Sequence, residues 1–246
     1  SLSSQKDGLM SQTPLTHDTP YTLFYVPDSA NLVVRIALEE LGVSFAALLV
    51  EGSGATNRSA AFLALNPQGL VPVLIDPQQD EPLFETAAIL LHLGERHNVL
   101  QPVDARSRGR YLKWLFFLSN TLHADLRGLF YSDRYVSDAG AIPALRQGLR
   151  ARVTKHFALL DAEMARHGGP WLLGETLTTC DIYLAVCARW AQIYPRGDGL
   201  APEAILNLSH VRRLLETLEQ RPSVLRACEQ EGIAGRAFTA PQFPVR

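Results

Sequence analysis

The sequence predicts two architectures in one chain: an α/β unit of order βαβαββα, then an all-α unit. Three observations carry this expectation. Strand-like and helix-like patterns alternate from Tyr21 to about Leu100, long helical periodicity takes over from Ala105, and Gln101-Pro102-Val103-Asp104 between them has the composition of a linker. The expected divisions are a disordered extension over residues 1–20, an α/β domain over 21–101, an all-helical domain over 105–235 and a C-terminal tail over 236–246.

The first twenty residues carry Ser, Gln, Thr, Asp and Pro with scattered apolar positions, a composition that cannot bury itself. From Tyr21 the run Tyr-Thr-Leu-Phe-Tyr-Val reads as a strand ended by Pro27-Asp28. Leu32, Val33, Ile36, Ala37 and Leu41 then recur at helical spacing as far as Gly42. Val43 to Val50 supplies a second strand, and a looser helical segment runs from about Asn57 to Leu65. Val73-Leu74-Ile75 is a short buried strand, Leu83-Phe84 a further strand edge, and Thr86 to His97 a helix. Beyond the linker, helices are expected at about Ala105 to Asp133, Ile142 to Arg166, Thr178 to Ile193, His210 to Gln220 and Ser223 to Gln230. Gly168-Gly169-Pro170 and Tyr194-Pro195-Arg196-Gly197 break the pattern.

With 246 residues, 47% of them hydrophobic, the chain can build proper cores. A formal net charge of −2 with interspersed signs argues against nucleic acid or an anionic membrane surface as a partner. No apolar run approaches the roughly 18–20 residues of a membrane span, and the expected location is cytoplasmic. Cys180, Cys187 and Cys228 form neither a C-x-x-C pair nor a metal spacing, and their odd number argues against a disulfide framework. Cys180 and Cys187 share a helix face but stand about 10 Å apart along it, too far to bridge. His92 and His97 are five apart and cannot serve one helical metal site, so no metal is expected. Gly52-Ser53-Gly54 reads as a turn, because it lacks the Lys-hydroxyl ending of a phosphate loop.

The stretch Asn66-Pro67-Gln68-Gly69-Leu70-Val71-Pro72 and the dipeptide Glu85-Thr86 carry the chemistry. Pro72 cannot donate a ladder hydrogen bond, so it belongs at a strand opening, and the main chain of Val71 is left free for a ligand. A cis X-Pro bond costs only about 0.5–1 kcal/mol over trans, so both isomers are open. At the first turn of a helix, free amides and the positive dipole end receive a carboxylate. The Thr86 hydroxyl adds a donor, and Glu85 can pair with an ammonium. The competing reading makes Glu85 and Thr86 simple helix caps. Gln68 either reaches a ligand amide or is a solvated loop residue.

These motifs resemble those of the cytosolic glutathione transferases, over about Tyr21 to Glu231. The resemblance implies a thioredoxin-like N-terminal domain with a cis-proline before its third strand, and glutathione as co-substrate. It implies that Glu85 and Thr86 hold the γ-glutamyl group and that Val71, fixed by Pro72, pairs its main chain with the cysteinyl unit. It also implies a homodimer. Farther on, Thr178 and Asp181 have the spacing of a reciprocal N-capping pair, similar to the capping box of this family's buried core helix.

A thiol with pKa near 8.5 becomes a better nucleophile when a donor hydrogen-bonds its sulfur. The loop Pro27-Asp28-Ser29-Ala30-Asn31 stands where this donor is needed. Aligned on Val34-Arg35-Ile36-Ala37-Leu38, Ala30 falls where beta-class members have cysteine, so a cysteine-based mechanism is not expected. Ser29 is the first candidate donor, with Asn31 and Tyr25 as alternatives. Helix capping by Ser29 and core packing by Tyr25 are the competing readings. Asp28 is discordant: ionised beside a thiolate it raises the thiol pKa, so it must turn away, pair with a cation, or mark weak activity. Trp114, Phe117, His123, Tyr131, Trp190 and Tyr194 are candidate walls for the second substrate, though core packing explains each equally simply. Arg127 and Arg134 matter if that substrate is anionic. The expected function is conjugation of glutathione to a small, hydrophobic electrophile. The alternatives are a glutathione-dependent isomerase, peroxidase or dehalogenase, or a non-catalytic member that binds glutathione or a protein partner.

Overall fold

The computed structural model describes residues 20–51 and 59–245. The expected N-terminal extension, except Pro20, and the Gly52-Ser53-Gly54 turn lie outside the described residues. Strand β1 (Tyr21–Tyr25) leads through a tight loop into helix α1 (Asn31–Leu41), followed by β2 (Phe45–Leu49), α2 (Ala60–Leu65), β3 (Val73–Ile75) and α3 (Thr86–His97). The sheet order is β2-β1-β3, with β1 parallel to β2 and antiparallel to β3. This is the thioredoxin-like arrangement. The expected fourth strand at Leu83-Phe84 is reduced to one bridge, in which Leu83 and Leu74 exchange both backbone hydrogen bonds at 2.8 Å. Pro82 has no N–H to extend that ladder on one side.

The pleat of β1 sorts its side chains between two layers. Tyr21 and Leu23 pack with Leu74 against Val34, Leu38, Ile89 and Leu93 of α1 and α3. Phe24 faces the other side, where its ring lies 6.0 Å from that of Phe62 on α2. Gly42 ends α1 at φ 68°, a left-handed conformation that glycine adopts without steric cost.

The helical unit contains α4 (Ala105–Phe116), α5 (His123–Phe130), α6 (Ile142–His167), α7 (Thr179–Ile193), α8 (Glu203–Leu206), α9 (Ser209–Leu218) and α10 (Pro222–Gln230). The single helix expected over 105–133 is interrupted by a π-helical stretch, Phe117–Leu122, and ends at Phe130. Such stretches recur at functional sites. The short α8 was not anticipated, because four residues carry too little periodicity to register.

Helix α7 runs through the middle of the core and is buried from Thr179 to Gln192. Its start is a capping box. The Thr178 hydroxyl accepts from the Cys180 amide at 3.2 Å, and the Asp181 carboxylate accepts from the amides of Thr178 (2.9 Å) and Leu172 (2.8 Å). Thr179 N–H donates to the Leu100 carbonyl at 3.0 Å, tying α7 to the linker. Asp181→Ala leaves two buried amides unpaired, each costing about 1–3 kcal/mol, so a loss of about 2–4 kcal/mol is expected in denaturant unfolding. Asp181→Asn, which keeps one acceptor oxygen, is expected to lose less.

Candidate active site

A cavity of about 1030 Å³ opens between the sheet edge and the helical unit. Its sheet-side wall is built from three loops, and those loops carry six of the eight anticipated site residues: Ser29, Gln68, Val71, Pro72, Glu85 and Thr86. The Val71-Pro72 bond is cis, and no recorded hydrogen bond from a described residue occupies the Val71 main chain. The loop before it is held from within. The Asn66 amide donates to the Leu70 carbonyl at 2.9 Å, its side-chain oxygen accepts from Gln68 N–H at 3.0 Å, and Gly69 turns the chain at φ 70°. Gln68 is left exposed at the cavity.

Glu85 is not a side-chain cap. It precedes α3 at φ 73°, in the left-handed region, its side chain makes no capping hydrogen bond, and it lines the cavity. A non-glycine residue held there costs about 1–3 kcal/mol, which local capping does not offset here. Thr86 follows at the first helical position, buried, with its side chain on the same wall.

In the loop between β1 and α1, no side chain caps α1, so the helix start faces the cavity uncapped at Ser29 and Ala30. Ser29 uses its backbone for the turn, donating to Val26 O at 3.2 Å and accepting from Leu32 N at 2.8 Å. Among the described residues its hydroxyl has no recorded partner, and it is therefore not the cap. The structure places the two alternatives to Ser29, Asn31 and Tyr25, away from the cavity lining. Asn31 is fully buried, its amide donating to both oxygens of Glu231 at 3.1 Å and its oxygen accepting from Val26 N at 3.1 Å, so it has no group to offer a ligand. Tyr25 lies beneath the Arg35 guanidinium, 4.5 Å from its ring centroid, and does not line the cavity.

Asp28 pairs with a cation. Arg189 of α7 donates to its two oxygens from Nε at 2.8 Å and Nη2 at 2.9 Å. The Tyr194 hydroxyl adds a third bond at 2.7 Å, and Trp190 Nε1 donates to the Asp28 carbonyl at 3.0 Å. Asp28 itself sits at φ 59°. Its amide donates to Glu231 at 2.9 Å, and Glu231 also accepts from Arg35 Nε at 2.8 Å. Burial pushes the Glu231 carboxyl up to about 7, with Arg35 pulling the other way. The remaining Arg189 donors hold the C-terminal segment at the carbonyls of Ala237 (3.1 Å) and Gln242 (2.6 Å). One buried guanidinium thus fastens both the thiol-facing loop and the end of the chain.

Matches to known families cover both halves of this arrangement. Residues 19–95 match the model described as "Glutathione S-transferase, N-terminal domain", and residues 143–227 match "Glutathione S-transferase, C-terminal domain". The glutathione S-transferase GST-4.5 of Xanthomonas campestris pv. campestris is 31% identical, over 86% of this chain and 98% of that protein. The glutathione S-transferase GstB of Escherichia coli K12 is 32% identical over 82% of this chain and 95% of its own length. The chain belongs to the glutathione S-transferase family. It is a glutathione transferase enzyme by the same comparison. A sphingomonad glutathione S-transferase solved with glutathione is 28% identical and superposes with a TM-score of 0.71, over 87% of this chain and all of that one.

The opposite wall of the transferase cavity comes from the π-helical stretch, α5, α7 and the segment after it. Of the anticipated wall residues, His123, Tyr131, Trp190 and Tyr194 line the cavity. Trp114 and Phe117 instead pack edge to face at 5.2 Å against the helical core. Arg127 lines the cavity. Arg134 does not, and stacks on Tyr131 at 4.3 Å. Unanticipated contributors are Ser119, Phe130, Tyr135 and Arg196, together with Pro244 and Val245 of the C-terminal segment. Arg196 stood within a sequence read only as a break, and a short tail offers no periodicity by which to place it. The three cysteines are buried, and burial raises each thiol, Cys228 to about 12, so none is poised as a nucleophile. Among the described residues no group of His, Cys, Asp or Glu is arranged to hold a metal, and no helix is long and apolar enough to cross a membrane.

Two predictions follow from this electrostatics. Replacing Arg189 by Met leaves Asp28 buried beside no cation, and breaking a buried pair from one side costs about 3–5 kcal/mol; denaturant unfolding should show that loss, with the double variant Arg189→Met and Asp28→Asn recovering part of it. His123 is held neutral by burial, and secondarily by Arg127, with its pKa lowered from 6.5 to about 3. As pH falls, the unfolded chain takes up this proton first. The contribution of His123 to stability is complete above about pH 6.5 and is lost toward pH 3 at up to about 1.4 kcal/mol per pH unit. His123→Gln should therefore flatten the fall in unfolding free energy between about pH 6.5 and 4.

Proposed function

We propose that glutathione lies along the sheet-side wall of the cavity. Glu85 pairs with its ammonium, Thr86 and the first amides of α3 receive the γ-glutamyl carboxylate, and the Val71 main chain pairs with the cysteinyl unit. Gln68 is in reach of a further amide or carboxylate. The Ser29 hydroxyl donates to sulfur at the uncapped start of α1, and the thiolate attacks a small electrophile between the two walls. The observation that carries this reading is the pairing of a strained, non-capping Glu85 with an unpartnered Ser29 hydroxyl on one cavity wall. Holding thiol and electrophile together supplies proximity, and the helix start and hydroxyl supply thiolate stabilisation.

The negative charge of Asp28 is answered by Arg189, which removes the repulsion that would favour a non-catalytic member. A homodimer, a cytoplasmic location and a role in detoxification belong to the same proposal, supported by the family resemblance. Half-exposed Phe116 on α4 is a side chain that a partner copy would cover.

Ser29→Ala is expected to raise the pKa of bound glutathione thiol by at least about one unit, toward the free value near 8.5, as read from thiolate absorbance against pH. The rate with a chloronitrobenzene should fall about 10- to 100-fold while the glutathione affinity measured by calorimetry changes little. An unmoved thiol pKa would remove Ser29 from its role, and no calorimetric binding at millimolar glutathione would overturn the reading as a whole.

A further inference from the structure

The helical wall of the cavity carries positive charge without an answering negative one. Ser119, His123 and Arg127 follow one another at four-residue intervals and all face the cavity. Arg196 approaches from the segment after α7, stacked at 4.0 Å on Phe243. Neither the half-buried Arg127 nor the exposed Arg196 forms an ion pair with a carboxylate among the described residues, whereas Arg35, Arg146, Arg150, Arg189 and Arg221 do. The acidic side chains on the cavity are placed elsewhere. Asp28 is taken up by Arg189, and Glu51 and Glu85 belong to the sheet-side wall.

Four rings, Phe130, Tyr131, Trp190 and Tyr194, line the same cavity. Phe130 stands edge to face with Trp190 at 6.3 Å and with Tyr194 at 5.9 Å, so this part of the lining is aromatic. His123 adds a neutral polar group to it. Its Nδ1 is hydrogen-bonded with the Tyr183 hydroxyl, and its imidazole is held neutral by burial, so it adds no charge to the lining.

We propose that the electrophile accepted by this transferase is anionic: a carboxylate carried on a flat aromatic or unsaturated body, with Arg127, supported by Arg196 at the cavity rim, attracting the carboxylate and the aromatic lining meeting the body. The inference rests on the transferase reading and specifies its second substrate. Guanidinium is suited to the task, because its planar donors match a carboxylate and it stays charged at every working pH. On the proposed reading the γ-glutamyl carboxylate of glutathione does not use this pair, since it is met on the other wall at Glu85 and Thr86. A wholly apolar acceptor would leave the half-buried Arg127 guanidinium facing an apolar guest, at a desolvation cost with no return.

The test compares two inert ligands of one shape, 3-nitrobenzoate and 3-nitrobenzamide, by calorimetry on the full chain, with and without saturating glutathione. The benzoate is expected to bind at least tenfold more tightly than the amide, about 1.4 kcal/mol. In Arg127→Gln that ratio should shrink at least fivefold, and in Arg196→Gln it should shrink by a smaller factor. Because each ratio is taken within one variant, a general loss of folded protein does not alter it. Equal affinities in the unaltered protein would overturn the proposal, as would a ratio that survives both substitutions. So would an Arg127→Gln variant that loses glutathione affinity and keeps the benzoate preference. Failure of glutathione to bind would instead strike the transferase reading, and the titrations without glutathione would still decide whether the cavity prefers the anion.

Discussion

The active-site loop of this protein depends on a buried ion pair 161 residues apart in sequence, Asp28 with Arg189. Both side chains are almost wholly excluded from water, a placement that is stable only when the charges meet in good geometry and their other hydrogen-bonding groups are filled. Here they are. Arg189 also bonds the Ala237 and Gln242 carbonyls, and Asp28 also accepts from Tyr194 and Trp190. The loop that presents Ser29 is therefore positioned by the helical unit. The fold of the α/β domain by itself would leave Asp28 a charge without its cation.

A second polar cluster repeats this logic beside the first. Asn31 and Arg35 are buried on α1, where the helical pattern alone would put apolar side chains, and Glu231 just past α10 accepts from the Asn31 amide, from Arg35 Nε and from the Asp28 amide, while Arg35 Nη2 has no hydrogen-bond partner. Helix α1 is thus buried on nearly every side, against the sheet, α7 and α10, and its polar residues specify which partners it meets. The sheet-side wall of the cavity is thus tied by buried hydrogen bonds to the helical unit. The opposite wall includes a π-helical stretch, the segment carrying Arg196 and the end of the chain.

Much of the fold was legible because its signals are local. The alternation of Tyr21 to Val26 with the helical spacing of Leu32 to Leu41 depends only on neighbours along the chain, as does the Thr178-Asp181 capping box. Val71-Pro72 and Glu85-Thr86 were also visible, since a proline at a strand opening and an acid-hydroxyl pair at a helix start carry their reasons in their own backbone chemistry. The errors have equally local causes. Asn31 and Tyr25 sit near enough to Ser29 in sequence to look equivalent, and the π-helical stretch preserves a helical pattern while changing its path.

What sequence by itself determined is the two-part architecture and the segments that form the sheet-side half of the cavity, because these follow from periodicity, turn chemistry and capping within short windows; the family came from the resemblance of those motifs. Only the tertiary structure decided which loop residue faces the cavity, how the charge of Asp28 is answered and which groups form the helical wall. Those outcomes depend on side chains such as Asp28 and Arg189, or Asn31 and Glu231, that are brought together by folding of the whole chain. No local pattern encodes such a meeting, since its energy comes from burial and charge shared between segments that are strangers in sequence.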